Sequence, residues 1–451
     1  MLPKGVRIVD LSFSTQEFLY RAPIKFGGVA VDRATLLDAQ LTVEGPDGKR
    51  STGVGSMPLG NVWSFPSKRL GYAQTLDAMK AVAQKAAHLY SQKRDAVHPI
   101  RLTIDLESSL FAAADQCARE ANLGEPIPRL AALVAASPFD AALHDAYGKL
   151  FHKPVWHCYG PEYLGEDLGA FLGPDFKGQT IEEHLKPLPE PRLPLYHLVG
   201  ALDPLEEKDL QTRVGDGVPE TLEEWIPRDG LSHLKIKLNG DDLDWDVHRV
   251  LRVEEVACRA MPKKEVTFWR YSLDFNERVP SCESLLAFLD QLEARSPAAF
   301  ERIAYIEQPT KRDLHADRQN TMHRASAKIP VVIDESLLDL ETLLLAREMG
   351  YTGAALKACK GQSQSLLMAA AARSMGMFLC VQDLTCPGAS LLHSASLAAW
   401  VKGISAIESN ARQYMPAANK PWEERFPGIF RIPDGHMATG CLGGIGLAGI
   451  V

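Results

Sequence analysis

The chain has 451 residues, 46% hydrophobic and 24% charged, too long for one compact core and ordinary in composition for a globular protein of two domains or a barrel with additions. A formal net charge of -8 argues against a surface that neutralises nucleic-acid phosphates and points to a small-molecule partner. The absence of a ~20-residue apolar run, of a signal-like N-terminal stretch and of any Cys-x-x-Cys among eight scattered cysteines predicts a cytoplasmic protein with reduced thiols and no membrane contact.

The first elements read as strands. Apolar and polar residues alternate over 6–12 and again over 38–44, the second run ending at the turn Gly45-Pro-Asp-Gly48. Between them the Gly- and Pro-containing stretch 20–28 reads as a loop carrying Lys25 and Phe26, and 55–66 as a second loop carrying Trp63 and Phe65. Helical spacing follows over 75–90 and 108–121. Ser137-Pro138 then predicts the start of a third helix, a capping residue before a proline in the first turn.

From Leu195 the texture changes. Short apolar runs at 195–198, 234–238, 266–273, 303–306, 331–333, 354–356, 378–381 and 404–407 alternate with helical stretches, the rhythm of a parallel barrel closed by helices. The polar segment 203–228 reads as an insertion. After Met415 the chain turns Pro- and Gly-rich and is expected to return to the surface or to the first domain.

The downstream ends of these runs carry acids and lysines, and in such a barrel those ends share one face. Lys235 and Lys237 close the second run, two residues apart and therefore on one side of a strand. Asp274 closes the third, Glu307 the fourth, Asp334 the fifth and Lys357 the sixth. Neighbouring strands lie about 4.8 Å apart, so three carboxylates on adjacent ends can converge. Unpaired they would repel, and a small hard divalent cation with oxygen ligands resolves this. A lysine held beside such a cation and a second lysine has its pKa lowered towards the working range, as a proton abstractor needs. Lys357 is favoured over Lys360 as the sixth-strand base because it directly follows the apolar run.

In order, Lys235-Ile-Lys237, Asp274-Phe-Asn276, Glu307-Gln-Pro309, Asp334-Glu-Ser336 and Ala355-Leu-Lys357 resemble the motifs of the enolase superfamily. The likeness is to its mandelate racemase/muconate lactonizing enzyme-like members, specifically the muconate-lactonizing-enzyme-like subgroup. The stretch 137–149 resembles the helix ahead of the barrel in that family. The resemblance implies an α/β fold, a modified TIM barrel (β/α)7β over 190–411 with an α+β capping domain over 1–165 completed by the tail 412–451. It implies Mg2+ on Asp274, Glu307 and Asp334, with Lys235, Lys237 and Lys357 catalytic. Either Lys237 or Lys357 takes the α-proton of a small carboxylate substrate to give a metal-stabilised enolate, the other returns a proton or stabilises charge, and Lys235 positions the carboxylate. Asn276, Glu335, Asp383 and Glu408 are candidates for orienting these groups or touching substrate. A homo-oligomer is expected, as relatives are commonly multimeric.

The outcome reads as racemisation, epimerisation or cycloisomerisation, with loss of water from a hydroxy acid as the alternative. Departures from the motif narrow this. Lys360-Gly-Gln362 stands where relatives often have Gly-Gly, and 380–388 lacks the usual acidic seventh-strand segment. Glu408-Ser-Asn410 replaces the Asp-x-Asp that holds the amine of a dipeptide, which disfavours dipeptide substrates. Lysine on the sixth strand argues against the branches that use a His-Asp pair. A metal-dependent hydrolase would draw on histidines, absent from these strand ends, and a non-catalytic metal-binding barrel would not need the lysines.

Overall fold

Three antiparallel strands open the chain, β1 (Arg7–Phe26), β2 (Val29–Glu44) and β3 (Arg50–Pro58), in the order β1-β2-β3. The structure is a computed structural model and describes residues 4–26, 29–264 and 266–450. The first expected loop is largely strand, and the second begins at the end of β3 and continues into the short helix Asn61–Ser64, which carries Trp63. Residues 20–26 continue β1, and the pairing register jumps between Leu19 and Ile24, so Pro23 falls at an irregularity where no ladder proton is required. Gly27 and Gly28 lie outside the described residues. Gly53 and Gly55 belong to β3, where a Cβ would collide with backbone at Ala142, Ala146 and Pro138. They are glycines of close approach rather than of a turn.

The surface that approaches so closely is the helix Arg129–Leu150, which packs on the sheet beside the helices Tyr72–Gln92 and Pro99–Glu120. The helix expected to start at Ser137 thus starts at Arg129 and carries Pro138 inside it. Proline cannot donate to the carbonyl four residues back, and the Ser137 hydroxyl donates to Val134 O at 2.9 Å instead. A sequence that reads as a cap is a local repair.

Eight parallel strands then follow: β4 (Leu193–Val199), β5 (His233–Lys237), β6 (Arg270–Asp274), β7 (Ile303–Glu307), β8 (Val331–Ile333), β9 (Gly353–Leu356), β10 (Phe378–Val381) and β11 (Ile404–Glu408). Each pairs with the next, and β11 pairs with β4 through Ile407–Leu195 and Glu408–Tyr196, closing the ring. The molecule is α/β, a modified TIM barrel with a separate antiparallel-sheet unit. The polar segment before β5 ends in the helix Leu222–Asp229, and Arg21 of β1 reaches it, donating to Asp216 at 2.6 Å and to Val218 O at 2.8 Å. The tail returns to the first helices: Leu447 N donates to Asp145 Oδ1 at 2.9 Å and Val155 N to Gly446 O at 2.8 Å. Among the described residues, no helix is long and apolar enough to cross a membrane. All eight cysteines are free.

Candidate active site

Strand alternation builds the site. Tyr196, Tyr305, Val332, Ala355, Cys380 and Ala406 form one buried cluster within the ring. Two residues past each of the last five comes a polar side chain on the same side: Glu307, Asp334, Lys357, Gln382 and Glu408. In β6 the buried Ser272 leads in the same way to Asp274, and in β5 Lys235 leads to Lys237. β5 and β9 stand four places apart in a ring of eight, so Lys237 and Lys357 rise from opposite sides. The three acids occupy the arc between them.

These side chains meet as ion pairs. Lys237 Nζ donates to Asp274 Oδ2 and lies 3.3 Å from Asn276 Oδ1. Lys357 Nζ stands 2.6 Å from Asp334 Oδ2. Lys235 Nζ sits amid acids, 2.9 Å from Glu307 Oε1, 2.9 Å from Glu408 Oε2 and 3.2 Å from Asp274 Oδ2, and also donates to Gln382 Oε1 at 2.7 Å. Lys235 is sealed, 1% exposed, whereas Lys237 is the most open of the three at 8%, which suits a fixed charge and a group that meets substrate respectively.

The strand-end turns hold these groups in place. Asn276, in the left-handed region at φ 51°, donates its backbone N–H to Asp274 Oδ1 at 2.9 Å and its Nδ2 to Leu238 O at 3.2 Å, so it aims both Asp274 and Lys237. Gln308 Oε1 accepts from Asp334 N at 2.9 Å and Ser336 N at 3.2 Å, clamping the end of β8 to that of β7. Glu335 Oε1 accepts from the indole Nε1 of Trp63 at 2.7 Å, and the ring of Trp63 lies 4.2 Å from Lys357 Nζ. Arg312 fixes the same indole segment, donating to Trp63 O at 3.0 Å and to Glu277 Oε2 at 2.8 Å. Lys25 of β1 is part-buried and donates to Asn239 Oδ1 at 3.2 Å just beyond β5.

Charge at this floor is unevenly neutralised. Burial would raise Asp274, but Lys237 and Lys235 outweigh it and hold its carboxyl well below the usual range. Asp334 is likewise lowered, by Lys357 and Lys360 against burial. Glu307 goes the other way: burial, with Asp274 and Asp334 beside it, pushes it well up despite Lys235. Burial and then Asp334 push Glu335 up to about 7. For Lys357, burial lowers the pKa, but Asp334 reverses the sign and the net direction is upward. Lys235 is also raised, Glu307, Glu408 and Asp274 outweighing burial. Beside bare carboxylates the direction is thus opposite to the fall expected next to a divalent cation.

Glu307 Oε2 and Asp334 Oδ2 are buried and accept no well-angled hydrogen bond, although ammonium groups stand 2.9 and 2.6 Å away. Among the described residues, no three His, Cys, Asp or Glu side chains are drawn close enough together to hold an ion, because each acid leans on a lysine. In kind, the donor set suits Mg2+: three hard oxygen donors on adjacent strands with lone pairs to spare.

Asp383 stands just beyond β10 and is buried. It falls one residue past the inward position, and its carboxylate accepts from Leu384 N at 2.9 Å, Cys386 N at 3.0 Å and Asn410 N at 2.8 Å, tying the β10 and β11 loops together. Gln382 is the inward residue, the position that counting by twos from Cys380 reaches, and it is absent from the charged motif because its side chain is neutral. Lys360 also reaches the floor, donating to Asp334 O and standing 3.2 Å from Asp334 Oδ1. Its backbone turns back in a short 3-10 segment, Ala358–Lys360, which returns the side chain to the ring.

The family model described as enolase C-terminal domain-like matches residues 217–448. No curated protein matches the chain in sequence. Among solved structures, a racemase from Streptomyces coelicolor A3(2) with bound magnesium superposes with a TM-score of 0.58 at 16% identity, covering 98% of this chain and 96% of that one. Muconate lactonizing enzyme from Pseudomonas fluorescens complexed with muconolactone gives 0.57 at 18% identity, covering 90% and 87%. A dipeptide epimerase from Enterococcus faecalis V583 complexed with Mg and L-Leu-L-Tyr gives 0.58 at 15% identity, covering 90% and 91%. At such identities the likeness speaks for the fold, and the matched family model, spanning half of the chain, speaks for descent: the chain belongs to the enolase superfamily, in its mandelate racemase/muconate lactonizing enzyme-like family.

Proposed function

We propose that the chain is a Mg2+-dependent enzyme that removes the α-proton of a small carboxylate substrate, with Asp274, Glu307 and Asp334 as the cation's ligands and Lys237 and Lys357 as the acid–base pair. The observation that carries the reading is the pair of lysines rising from opposite sides of one ring with three carboxylates on the arc between them. When bound, Mg2+ supplies Lewis-acid stabilisation of the negative charge that develops on the substrate carboxylate oxygens.

The protein's own groups do the rest. Lys237 Nζ and Lys357 Nζ address the α-carbon from its two faces, one accepting the proton and the other returning one. To accept a proton the amine must be neutral. Asp334 stabilises the ammonium form of Lys357 as it stands, and a carboxylate committed to a divalent cation would no longer do so. Lys235 keeps a fixed positive charge for the substrate carboxylate. Trp63 covers Lys357 and keeps water from its Nζ.

Two bases on opposite faces suit racemisation or epimerisation, where the proton leaves one face and returns to the other. The racemase and the dipeptide epimerase among the structural relatives carry out reactions of that kind, and the muconate lactonizing enzyme points to cycloisomerisation. The test is α-proton exchange in D2O, followed by NMR, over a panel of 2-hydroxy acids, N-acyl amino acids and unsaturated dicarboxylic acids. With an acid that the protein accepts, exchange requires Mg2+, and Lys237→Ala and Lys357→Ala each slow it by about 10^3-fold. Exchange that survives both single changes contradicts the assignment of the bases.

A further inference from the structure

Lys235 has three ammonium protons, and its surroundings divide into two groups. On one side stand Asp274 at 3.2 Å and Glu307 at 2.9 Å, both proposed cation ligands. On the other stand Glu408 Oε2 at 2.9 Å and Gln382 Oε1 at 2.7 Å, which are not. Both partners on the second side are themselves held. Gln382 Nε2 donates to Tyr305 OH at 2.6 Å, which fixes its oxygen towards Lys235. Glu408 accepts from Asp383 N at 3.1 Å on Oε2 and from Asn410 Nδ2 at 3.2 Å on Oε1. All three residues are at most 3% exposed, so water cannot stand in for a lost partner.

An ammonium and a divalent cation cannot share the same carboxylate oxygens without repulsion. A cation taking Asp274 and Glu307 would leave Lys235 buried, charged and deprived of two partners, and a buried charge without partners is very costly. We propose that Glu408 and Gln382 form a retaining clamp for Lys235: they keep its ammonium paired on the side away from the cation and so allow Asp274 and Glu307 to serve as ligands. The inference rests on the proposed metal reading and adds two positioning residues to it. Glu408 supplies the compensating charge and Gln382 the orientation. Remove either, and Lys235 is driven onto the ligand carboxylates and competes with the cation for them.

The test is divalent-cation affinity of the full chain without substrate, measured with Mg2+ by calorimetry and with Mn2+ by electron paramagnetic resonance. Glu408→Gln is expected to weaken binding about tenfold, within the range for partners that orient ligands. A carboxylate near a cation also attracts it through space, and two further variants separate the explanations. Gln382→Leu removes a neutral partner, so a loss in the same direction comes only through Lys235. In a Lys235→Met background the change at Glu408 is expected to move affinity less than twofold, because the residue being held is gone. If Lys235→Met does not fold, the Gln382→Leu comparison decides alone. An unchanged affinity in both Glu408→Gln and Gln382→Leu overturns the clamp while leaving the metal reading intact. A wild-type chain that binds neither cation overturns the metal reading itself.

Discussion

Trp63 donates to a carboxylate 272 positions away, at Glu335, and lays its ring over Lys357. The ring face and the indole proton do separable things. The face favours a cation 4.2 Å from its centre, while the proton holds Glu335 in place. Trp63→Phe keeps the face and loses the proton, and is expected to lower the exchange rate about threefold; Trp63→Ala loses both and is expected to lower it about a hundredfold, because the wall over Lys357 is gone. Equal rates for the two variants would show that the face contributes nothing. This contact was not legible in sequence, where Trp63 read only as a loop aromatic, because no periodicity links residues so far apart. The strand-end residues were legible because each is the next inward position after a buried one. Gln382 holds the inward place by parity, and Asp383, one position later, accepts from backbone N–H groups of the loop after β10.

At the scale of elements, the helix Arg129–Leu150 couples the antiparallel unit to the barrel. Its Asp140 accepts from Ser363 N at 2.8 Å and from Ser363 Oγ at 2.8 Å, capping the barrel helix Gln362–Ser374 from outside. Gly361, at φ 107°, makes the turn between that cap and the segment bearing Lys357 and Lys360. Thr103 Oγ1 donates to the same carboxylate at 2.8 Å, and His144 Nε2 lies 3.3 Å from it. Against the opposing effect of burial, His144 and these hydrogen bonds hold the Asp140 carboxyl below its ordinary value. A folded pKa below the unfolded one gives stability that is present above about pH 4 and fades as pH falls through the folded value. Asp140→Asn is therefore expected to cost about 3 kcal/mol at neutral pH, and the gap from wild type should narrow in denaturant titrations below about pH 4. A gap independent of pH would contradict a charged Asp140. The motif around Ser137 was visible in sequence but its meaning was not: Ser-Pro is a capping pair at a helix start and a repaired ladder inside one, and only the packing of Gly53 and Gly55 against this helix distinguishes them.

Across the whole molecule, the order of charged groups around the ring follows the order of strands along the chain. That is why eight short apolar runs and their terminal residues were enough to anticipate the barrel and its floor. The contacts that seat the antiparallel unit on the barrel and the tail on the first helices, such as Arg21 with Asp216 and Asp145 with Leu447, join distant segments and left no local trace. At the floor Glu307 is pushed up, first by burial and then by Asp274 and Asp334 beside it, and two buried oxygens lack a well-angled donor. The cation proposed above would take those two oxygens as ligands. The most direct measurement is a crystal structure grown with Mn2+ and read by anomalous scattering. The account predicts one anomalous peak about 2.1 Å from oxygens of Asp274, Glu307 and Asp334, with Lys237 and Lys357 on its two flanks and Lys235 drawn towards Glu408. A peak elsewhere, or none at saturating Mn2+ with the lysine pairs unchanged, would contradict it.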